Sequence, residues 1–386
     1  MAMERVMRRC DLTPPRRLAL DAILGNPTAG VAIFAMNPME WRMIDRLAGV
    51  PEGTYRERPV ETYRQMLTNS ACCIVDQWIP TNPLTMRAEG FQDGTPRTAT
   101  TGAQKIVLDG ITIDSPEAVV RHMEEFLFPK TRAQIASFDE AARVAELLER
   151  ERRDAAEIGP EMLKAPYTDP FARFPILHYG LYGYEQYFMA YALYPEVMEK
   201  CFSLSADCDC LHNRAAAKAI ARGGLPPYVR IDHDITDSRG TLADVRSLDR
   251  LWFPHFRRTM EPFVKAGITL VWHCDGNVTP LVPRLLDVGF KGFQGFQYED
   301  GVDYAKICRM KARDGDTLLI IAGVSVTRTL PYGKPAGVKK EMQSLVDNGP
   351  RTRLFLGASS SITPGVPWRN LKALVDGFWY YRARRT

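Results

Sequence analysis

The 386-residue sequence lacks the features that mark several large classes of protein. It has no run of about 18 apolar residues, so a transmembrane helix is not expected. Its opening residues contain no apolar core of the secretory type. No Gly-x-Gly-x-x-Gly, P-loop or Gly-x-Ser-x-Gly motif is present, which argues against dinucleotide, nucleotide and serine-hydrolase chemistry.

The sequence is also poor in paired cysteines and in excess charge. None of its eight cysteines forms a Cys-x-x-Cys pair, and their scatter is not that of a disulfide scaffold. The formal net charge is only +4, which is too small to indicate a nucleic-acid partner. We therefore predict a reduced, cytoplasmic protein that binds neither nucleic acid nor membrane.

Apolar, β-branched runs alternate with helical patterns along the chain, which predicts a parallel sheet. Eight candidate strands favour a closed α/β barrel of the (β/α)8 TIM type over an open sheet. The candidate strands cover residues 30–35, 72–76, 174–179, 228–232, 268–273, 290–297, 317–322 and 352–356. One domain, residues 1–386, is sufficient to hold them.

Two regions depart from this alternation. An N-terminal helical region extends to Ala22, and glycine-rich β-prone segments at 87–115 predict a hairpin insertion. Whether the insertion serves as a lid or as a contact in a homodimer stays open. The charge-rich stretch 139–157 is typical of a solvated helix face.

The predicted strands end in polar residues. The fifth, 268–273, ends in His273, Cys274 and Asp275, and Gly276 then permits a turn. Because all strands of a barrel end at one rim, polar groups at strand ends are expected to surround one pocket. The other such groups are Asp76, His178, residues 232–234, Glu299 and residues 359–361. The alternative is an ordinary strand-to-helix loop with a core histidine.

A divalent-metal site is one interpretation of this rim. His273 and Asp275 are two residues apart and so point the same way, while Glu299 follows the next strand. Nitrogen and oxygen ligands of this kind suit zinc, manganese or iron. Equally, His273 could bond a barrel neighbour while Asp275 caps a turn. Cys274 should point to the opposite side and pack behind the rim.

Acid–base and substrate-binding roles are assigned to further rim residues. Asp232 and His233, together with Asp275, are the predicted catalytic acid–base groups, although the Asp-His-Asp run also suits an Asx-type turn. The predicted substrate-binding residues are Asp76, Trp78, His178, Tyr179 and Ser360.

Three segments resemble the uroporphyrinogen decarboxylase superfamily, especially its corrinoid-linked methyltransferase branch. They are His-Cys-Asp-Gly-Asn-Val-Thr-Pro at 273–280 with its continuation to 292, Ile-Ala-Gly-Val-Ser at 321–325, and the run from 356 to 374. The similarity covers about residues 170–386. It implies a (β/α)8 barrel, in agreement with the alternation of elements.

Two departures from the family pattern narrow the expected activity. The decarboxylases carry an Arg-Gln-Ala-Gly-Arg run, but residues 33–39 here read Ile-Phe-Ala-Met-Asn-Pro-Met, so porphyrinogen decarboxylation is not expected. The methyltransferase branch implies zinc held by a His-x-Cys pair, an acidic residue and a later cysteine. His273 matches the histidine and Glu299 is the candidate acid. Asp275 and Ser360 stand where the cysteines would be.

Oxygen ligands make a harder, more Lewis-acidic site than thiolates do. We therefore predict an O-demethylase that moves a methyl group from a small oxygen-bearing donor to a corrinoid protein. A rim metal, with zinc as one candidate, or an acid would neutralise the leaving alkoxide. The alternatives are a decarboxylase or lyase of a small non-porphyrin substrate, and a non-catalytic ligand-binding barrel.

Overall fold

The structure is a computed structural model that describes residues 12–82, 85 and 105–384. Its strands are β1 (Ala32–Ile33), β2 (Ile74–Val75), β3 (Val107–Leu108), β4 (Ile111–Thr112), β5 (Leu163–Lys164), β6 (Tyr228–Asp232), β7 (Thr236–Asp237), β8 (Gly240–Thr241), β9 (Thr269–His273), β10 (Gly292–Gln294), β11 (Leu319–Val324) and β12 (Leu354–Ala358). Short antiparallel pairs join β3 to β4 and β7 to β8. The remaining eight strands form the body of the molecule.

These eight strands run parallel and close into a ring. Six of them lie in the order β1-β12-β11-β10-β9-β6, and β2 pairs with β5. Backbone hydrogen bonds from Cys73 to Ile33 (2.8 Å) and from Ala35 to Ile74 (3.1 Å) join β1 to β2. A parallel bridge between Tyr167 and Arg230 joins the end of β5 to β6. The predicted TIM-type barrel is confirmed.

Helices cover the outside of the ring, which is why the strands are buried on both faces and read as apolar runs. All six residues of β11 are buried, for example. The helices span Pro14–Leu24, Trp41–Ala48, Thr54–Glu57, Pro59–Asn69, Pro116–His122, Phe128–Ala136, Glu140–Ile158, Thr168–Phe171, Tyr179–Tyr182, Tyr184–Leu193, Pro195–Arg222, Val245–Leu251, Phe253–Lys265, Val282–Val288, Tyr304–Arg309, Thr329–Tyr332, Pro335–Asn348 and Trp368–Ala383, with a π-helical turn at Met123–Leu127 and a 3₁₀ turn at Tyr298–Asp300. None of the described helices is long and apolar enough to cross a membrane.

The prediction for the third barrel strand was wrong. The strand is Leu163–Lys164, whereas residues 172–177 have no regular structure. The charged residue Lys164 makes this strand difficult to recognise in the sequence. In the structure its Nζ is buried and lies 3.0 Å from both carboxylate oxygens of Glu151. Glu151 is likewise buried, although it lies in the stretch that was predicted to be a solvated helix face.

The predicted hairpin insertion falls partly outside the described residues. Residues 87–104 are not described, while β3 and β4 form its C-terminal part. The helix that follows begins as expected, since the Ser115 hydroxyl accepts a hydrogen bond from the Ala118 amide (3.2 Å) and Pro116 occupies the first helical position.

Candidate functional site

A polar pocket lies at the C-terminal ends of the barrel strands. It encloses about 540 Å³ of empty space, including the part that is open to solvent. Its lining comes from six strands with the loops beyond them and from one helical residue, Tyr63: Phe34, Ala35, Met36, Asn37, Tyr63, Asp76, Gln77, Ile79, Arg230, Asp232, His273, Gln294, Ala358, Ser360 and Ser361. The prediction that strand ends meet around one pocket therefore holds for Asp76, Asp232, His273 and Ser360.

A buried ion pair forms the floor of this pocket. Tyr228, Arg230 and Asp232 alternate along β6, so their side chains share one face of the strand. Arg230 donates to Asp76 through Nε (2.7 Å) and Nη2 (3.1 Å) and to Gln294 through Nη1 (3.4 Å). Burial would lower the pKa of Arg230, but the Asp76 carboxylate raises it well above its ordinary value. The guanidinium therefore stays charged and paired.

A second cluster lies at the rim, at the ends of β6 and β9. One ligand atom from each of Asp232, Asp234 and His273 lies within 4.8 Å of the others. The His273 Nε2 is 3.9 Å from Asp232 Oδ1 and 3.9 Å from Asp275 Oδ1. This places His273 and Asp275 on the same side, as their spacing predicted.

The Asp232 carboxyl is held in its ionised form. It accepts a 2.6 Å hydrogen bond from the Tyr167 hydroxyl and lies 3.5 Å from Arg230 Nη1. Burial would raise the pKa of Asp232, but His273, Arg230 and the Tyr167 hydrogen bond together bring it below its ordinary value.

The Asp275 carboxyl is pushed in the opposite direction. Burial and the neighbouring Asp234 raise its pKa, against the attraction of His273. Ser360 donates to Asp275 Oδ2 (3.2 Å), while the buried Oδ1 makes no hydrogen bond within the part of the chain that the structure describes. Two neighbouring carboxyls whose pKa values are driven apart are suited to separate roles as acid and base.

Two glycines make room for this arrangement. Gly276 has φ of +88°, and a Cβ there would lie 2.6 Å from the backbone oxygen of Asp237, so the turn after Asp275 requires glycine. A Cβ on Gly295 would lie 2.6 Å from His273 Nδ1. That ring nitrogen is buried and unpaired among the described residues, so the histidine is not held by a bond to a barrel neighbour.

Cys274 faces away from the pocket, as the alternation of β9 predicted. Its buried sulfur accepts from the Ile235 amide (3.3 Å) and lies 3.1 Å from Thr236 Oγ1. Burial raises the pKa of Cys274 to about 12, so the thiol is protonated and unreactive at neutral pH. A catalytic role for this cysteine has no structural support.

The cluster could hold a divalent cation, but its ligand set is not the thiolate-rich one that the resemblance implies. Two carboxylates and an imidazole are hard to borderline donors, which suit manganese, iron or zinc. Ser360 lines the pocket where a thiolate would be expected from the resemblance, and Cys274 is turned away. The unpaired Asp275 Oδ1 and His273 Nδ1 are the kind of buried polar atoms that a bound ligand satisfies.

His178, Tyr179 and His233 were predicted as site residues but do not line the pocket. His233 Nε2 accepts a bond from the Leu177 amide (3.3 Å), its ring packs 5.3 Å from that of Phe174, and burial lowers its pKa to about 4. His178 and Tyr179 do not end a strand, because the third strand is elsewhere; they begin a short helix. Tyr179 donates to the backbone oxygen of Asp234, which places it against the rim cluster.

Glu299 and Trp78 are occupied by other partners. Glu299 lies in a 3₁₀ turn after β10, where its carboxylate accepts from Ser325 Oγ (2.8 Å) and from Thr327 Oγ1. Trp78 donates to Glu157 (2.7 Å) and packs edge-on against Tyr63 at 5.5 Å. Glu299 is thus outside the Asp-Asp-His cluster, and so is Asp275, which was also predicted as a ligand. Asp232 and Asp234 complete the cluster with His273 instead.

Sequence reasoning missed several pocket residues. Arg230 lies in the middle of β6 and Gln294 is the last residue of β10. A polar residue on a strand that is otherwise buried was the signal that could have found them. Asn37 lies beyond β1, where it donates to Ser361 (3.1 Å). Its position gave no comparable signal.

Comparison with known proteins gives the same fold. A solved structure described as a methyltransferase from Methanosarcina mazei aligns with 96% of this chain and 99% of its own at a TM-score of 0.57, with 16% sequence identity. No curated protein matches the chain. The family model for uroporphyrinogen decarboxylase (URO-D) matches residues 182–378, just over half of the sequence and most of the barrel. The chain belongs to the URO-D family.

Proposed function

We propose that this barrel transfers a methyl group from a small oxygen-bearing donor to a corrinoid carried by a partner protein, and that residues 1–386 act as one domain. The observation that carries the proposal is the pair of rim carboxyls around His273. Burial raises the pKa of Asp275, whereas His273 and Arg230 outweigh burial and lower that of Asp232. The fold it shares with a protein described as a methyltransferase is consistent with this chemistry.

Asp275 is the proposed proton donor. As the C–O bond of a methyl ether breaks, the methyl carbon bonds to the acceptor, and the leaving oxygen takes the Asp275 proton and departs as an alcohol. Ser360 orients the Asp275 carboxyl through Oδ2, and the buried Oδ1 has no hydrogen-bond partner among the described residues. A raised pKa keeps that carboxyl protonated closer to neutral pH, as a general acid requires.

Asp232, Asp234 and His273 would hold a divalent cation in the same pocket. Such a cation supplies Lewis acidity towards an oxygen of the donor. Asp232 is suited to act as a metal ligand or as a base, because Tyr167 and Arg230 fix its orientation and keep it ionised. The paired Arg230 and Asp76 below them provide a rigid polar floor.

The cation site is tested by measuring metal in protein purified without chelators. We expect about one equivalent, since three protein ligands define a single site. The metal should be lost in His273→Ala and Asp234→Asn but kept in Glu299→Gln, which serves as the matched carboxylate control. Loss in Glu299→Gln with retention in Asp234→Asn would instead support the ligand set predicted from sequence.

The reaction is tested by incubating the enzyme with a panel of methyl ethers and free reduced cobalamin, and following methylcobalamin formation. Methylcobalamin should appear only with enzyme and reduced cobalamin together, with release of the matching alcohol. Turnover without cobalamin would indicate a lyase or decarboxylase. Ligand binding without turnover in either condition would indicate a binding barrel.

A further inference from the structure

A second cavity adjoins the rim pocket on the other side of Asp232. It lies between the helix Phe128–Ala136, the segment 168–178 and the helix Pro195–Arg222, and it encloses about 890 Å³ of empty space, including the part open to solvent. Its lining combines apolar side chains with a few polar and charged ones: Leu127, Thr131, Gln134, Thr168, Ala172, Arg173, Phe174, Ile176, His178, Ser205, Cys208, Asp209 and Asp232. Asp232 lines both cavities. We call this space the side cavity.

Asp209 is the unusual member of this lining. It is only 8% exposed, and its Oδ2 is buried without a hydrogen-bond partner among the described residues. A buried carboxylate with no partner is costly, and native proteins retain such groups chiefly where they serve a ligand or a reaction. Burial raises the pKa of Asp209 to about 7, which Arg173 partly opposes.

The neighbours of Asp209 do not supply the missing partner. Arg173 is exposed, and its Nη1 lies 3.3 Å from His212 Nε2. Burial lowers the pKa of His178 to about 4 and that of His212 to about 4, the latter with help from Arg173, so both rings are neutral near pH 7. Burial raises the pKa of the Cys208 thiol, which leaves it protonated.

We infer that the side cavity is a binding site for a small organic cation, whose ammonium group pairs with Asp209. An anionic ligand would meet two carboxylates, Asp209 and Asp232, against the single guanidinium of Arg173 on the cavity wall. An ammonium group would instead donate a charge-assisted hydrogen bond to Asp209 Oδ2. The apolar part of the lining would accommodate a short carbon chain. The side cavity shares Asp232 with the rim pocket, but binding of a cation at Asp209 does not require methyl transfer.

Three probes of matched size test the inference: n-propylammonium, n-propanol and propionate. Binding is measured by ligand-observed NMR and calorimetry at pH 8, where Asp209 is ionised. For a ligand of four heavy atoms we expect a Kd of about 1 mM for propylammonium. The alcohol and the carboxylate should bind at least tenfold more weakly.

Two variants locate the site, and one controls for helix charge. Asp209→Asn and the cavity-filling Ser205→Leu should each weaken propylammonium binding at least tenfold. Asp207→Asn should bind like the wild type, because Asp207 lies on the same helix but is half exposed and paired with Arg258 at 3.0 Å. Folding of each variant is verified by circular dichroism.

Several results would overturn the inference. Equal binding of the three probes would show that charge does not select the ligand. Unchanged propylammonium binding in Asp209→Asn would remove its proposed partner. No binding of propylammonium to the wild type at concentrations up to about 10 mM would likewise show that the cavity is not a cation site.

Discussion

The pocket contains two clusters of charge that differ in how completely their members are paired. At the floor, Arg230 makes two hydrogen bonds to Asp76 and one to Gln294. At the rim, His273 Nε2 stands 3.9 Å from each of Asp232 and Asp275, and Asp275 Oδ1 and His273 Nδ1 have no described partner. Removal of one member of a buried ion pair destabilises the fold, whereas buried atoms left unpaired at a rim are suited to a ligand.

The largest expected effect is on the floor pair. Arg230→Met should lower the free energy of unfolding by about 3–5 kcal/mol, because it leaves the buried Asp76 without its counter-charge. Urea denaturation measures the change. The double variant Asp76→Asn/Arg230→Met should recover most of the loss. A single-variant effect below about 1 kcal/mol would show that the pair is not structural.

The unpaired Asp209 should make stability depend on pH. Its pKa is raised from 3.8 to about 7, so between these values the folded state holds a proton that the unfolded state has released. Stability should therefore fall as pH rises from about 4 to about 7, by roughly 4 kcal/mol at most, and then level off. Denaturation of wild type and Asp209→Asn across this range measures the difference, and parallel curves would contradict it.

At the rim, a substitution should affect chemistry more than folding. Asp275→Asn should lower methyl transfer by about 100-fold, because the amide cannot protonate the leaving oxygen. Wild-type activity should decline as pH rises through the raised pKa of Asp275, and the variant's profile should be flat there. Donors with acidic leaving groups should lose less activity. An equal loss for all donors would point to substrate binding instead.

The smallest effect should have the opposite sign from that at the floor. With a chelator present, Asp234→Asn should raise the melting temperature by roughly 1–2 °C, since it removes one of three neighbouring carboxylates. Added manganese or zinc should stabilise the wild type but not the variant. Destabilisation of the chelated variant would mean that Asp234 belongs to the paired floor rather than to an open rim.

Seven of the barrel strands were predictable because each lies in a mainly apolar run bounded by turn residues, as in β9 and β11. The third was not, since Lys164 resembles a surface residue unless its burial against Glu151 is known. Phe174 and Leu177 imitated a strand because a covering loop also buries apolar side chains. An apolar sequence pattern indicates that a segment is buried, but it does not distinguish a barrel strand from a loop packed over the barrel.

The residues of the rim were likewise predictable only in part. The period of two along β9 correctly separated His273 and Asp275 from Cys274. Glu299 was assigned as a ligand because it follows the next strand. In the structure its carboxylate instead accepts hydrogen bonds from Ser325 and Thr327, just after β11. The alternation of residues along one strand predicts the side to which each side chain points. The partner of a side chain on a different strand depends on loop conformation, which no local sequence pattern specifies.

The absence of a side chain at Gly295 is a condition for the position of the His273 imidazole. Gly295 belongs to the segment after β10 and contributes no side-chain atom, yet a single methyl group there would collide with the imidazole. The ring orientation is therefore controlled from a neighbouring strand. Because Gly295 also has φ of +89°, any other residue there would strain the backbone as well as displace the ring, so the orientation of a reactive group depends on a residue that has no reactive atom of its own.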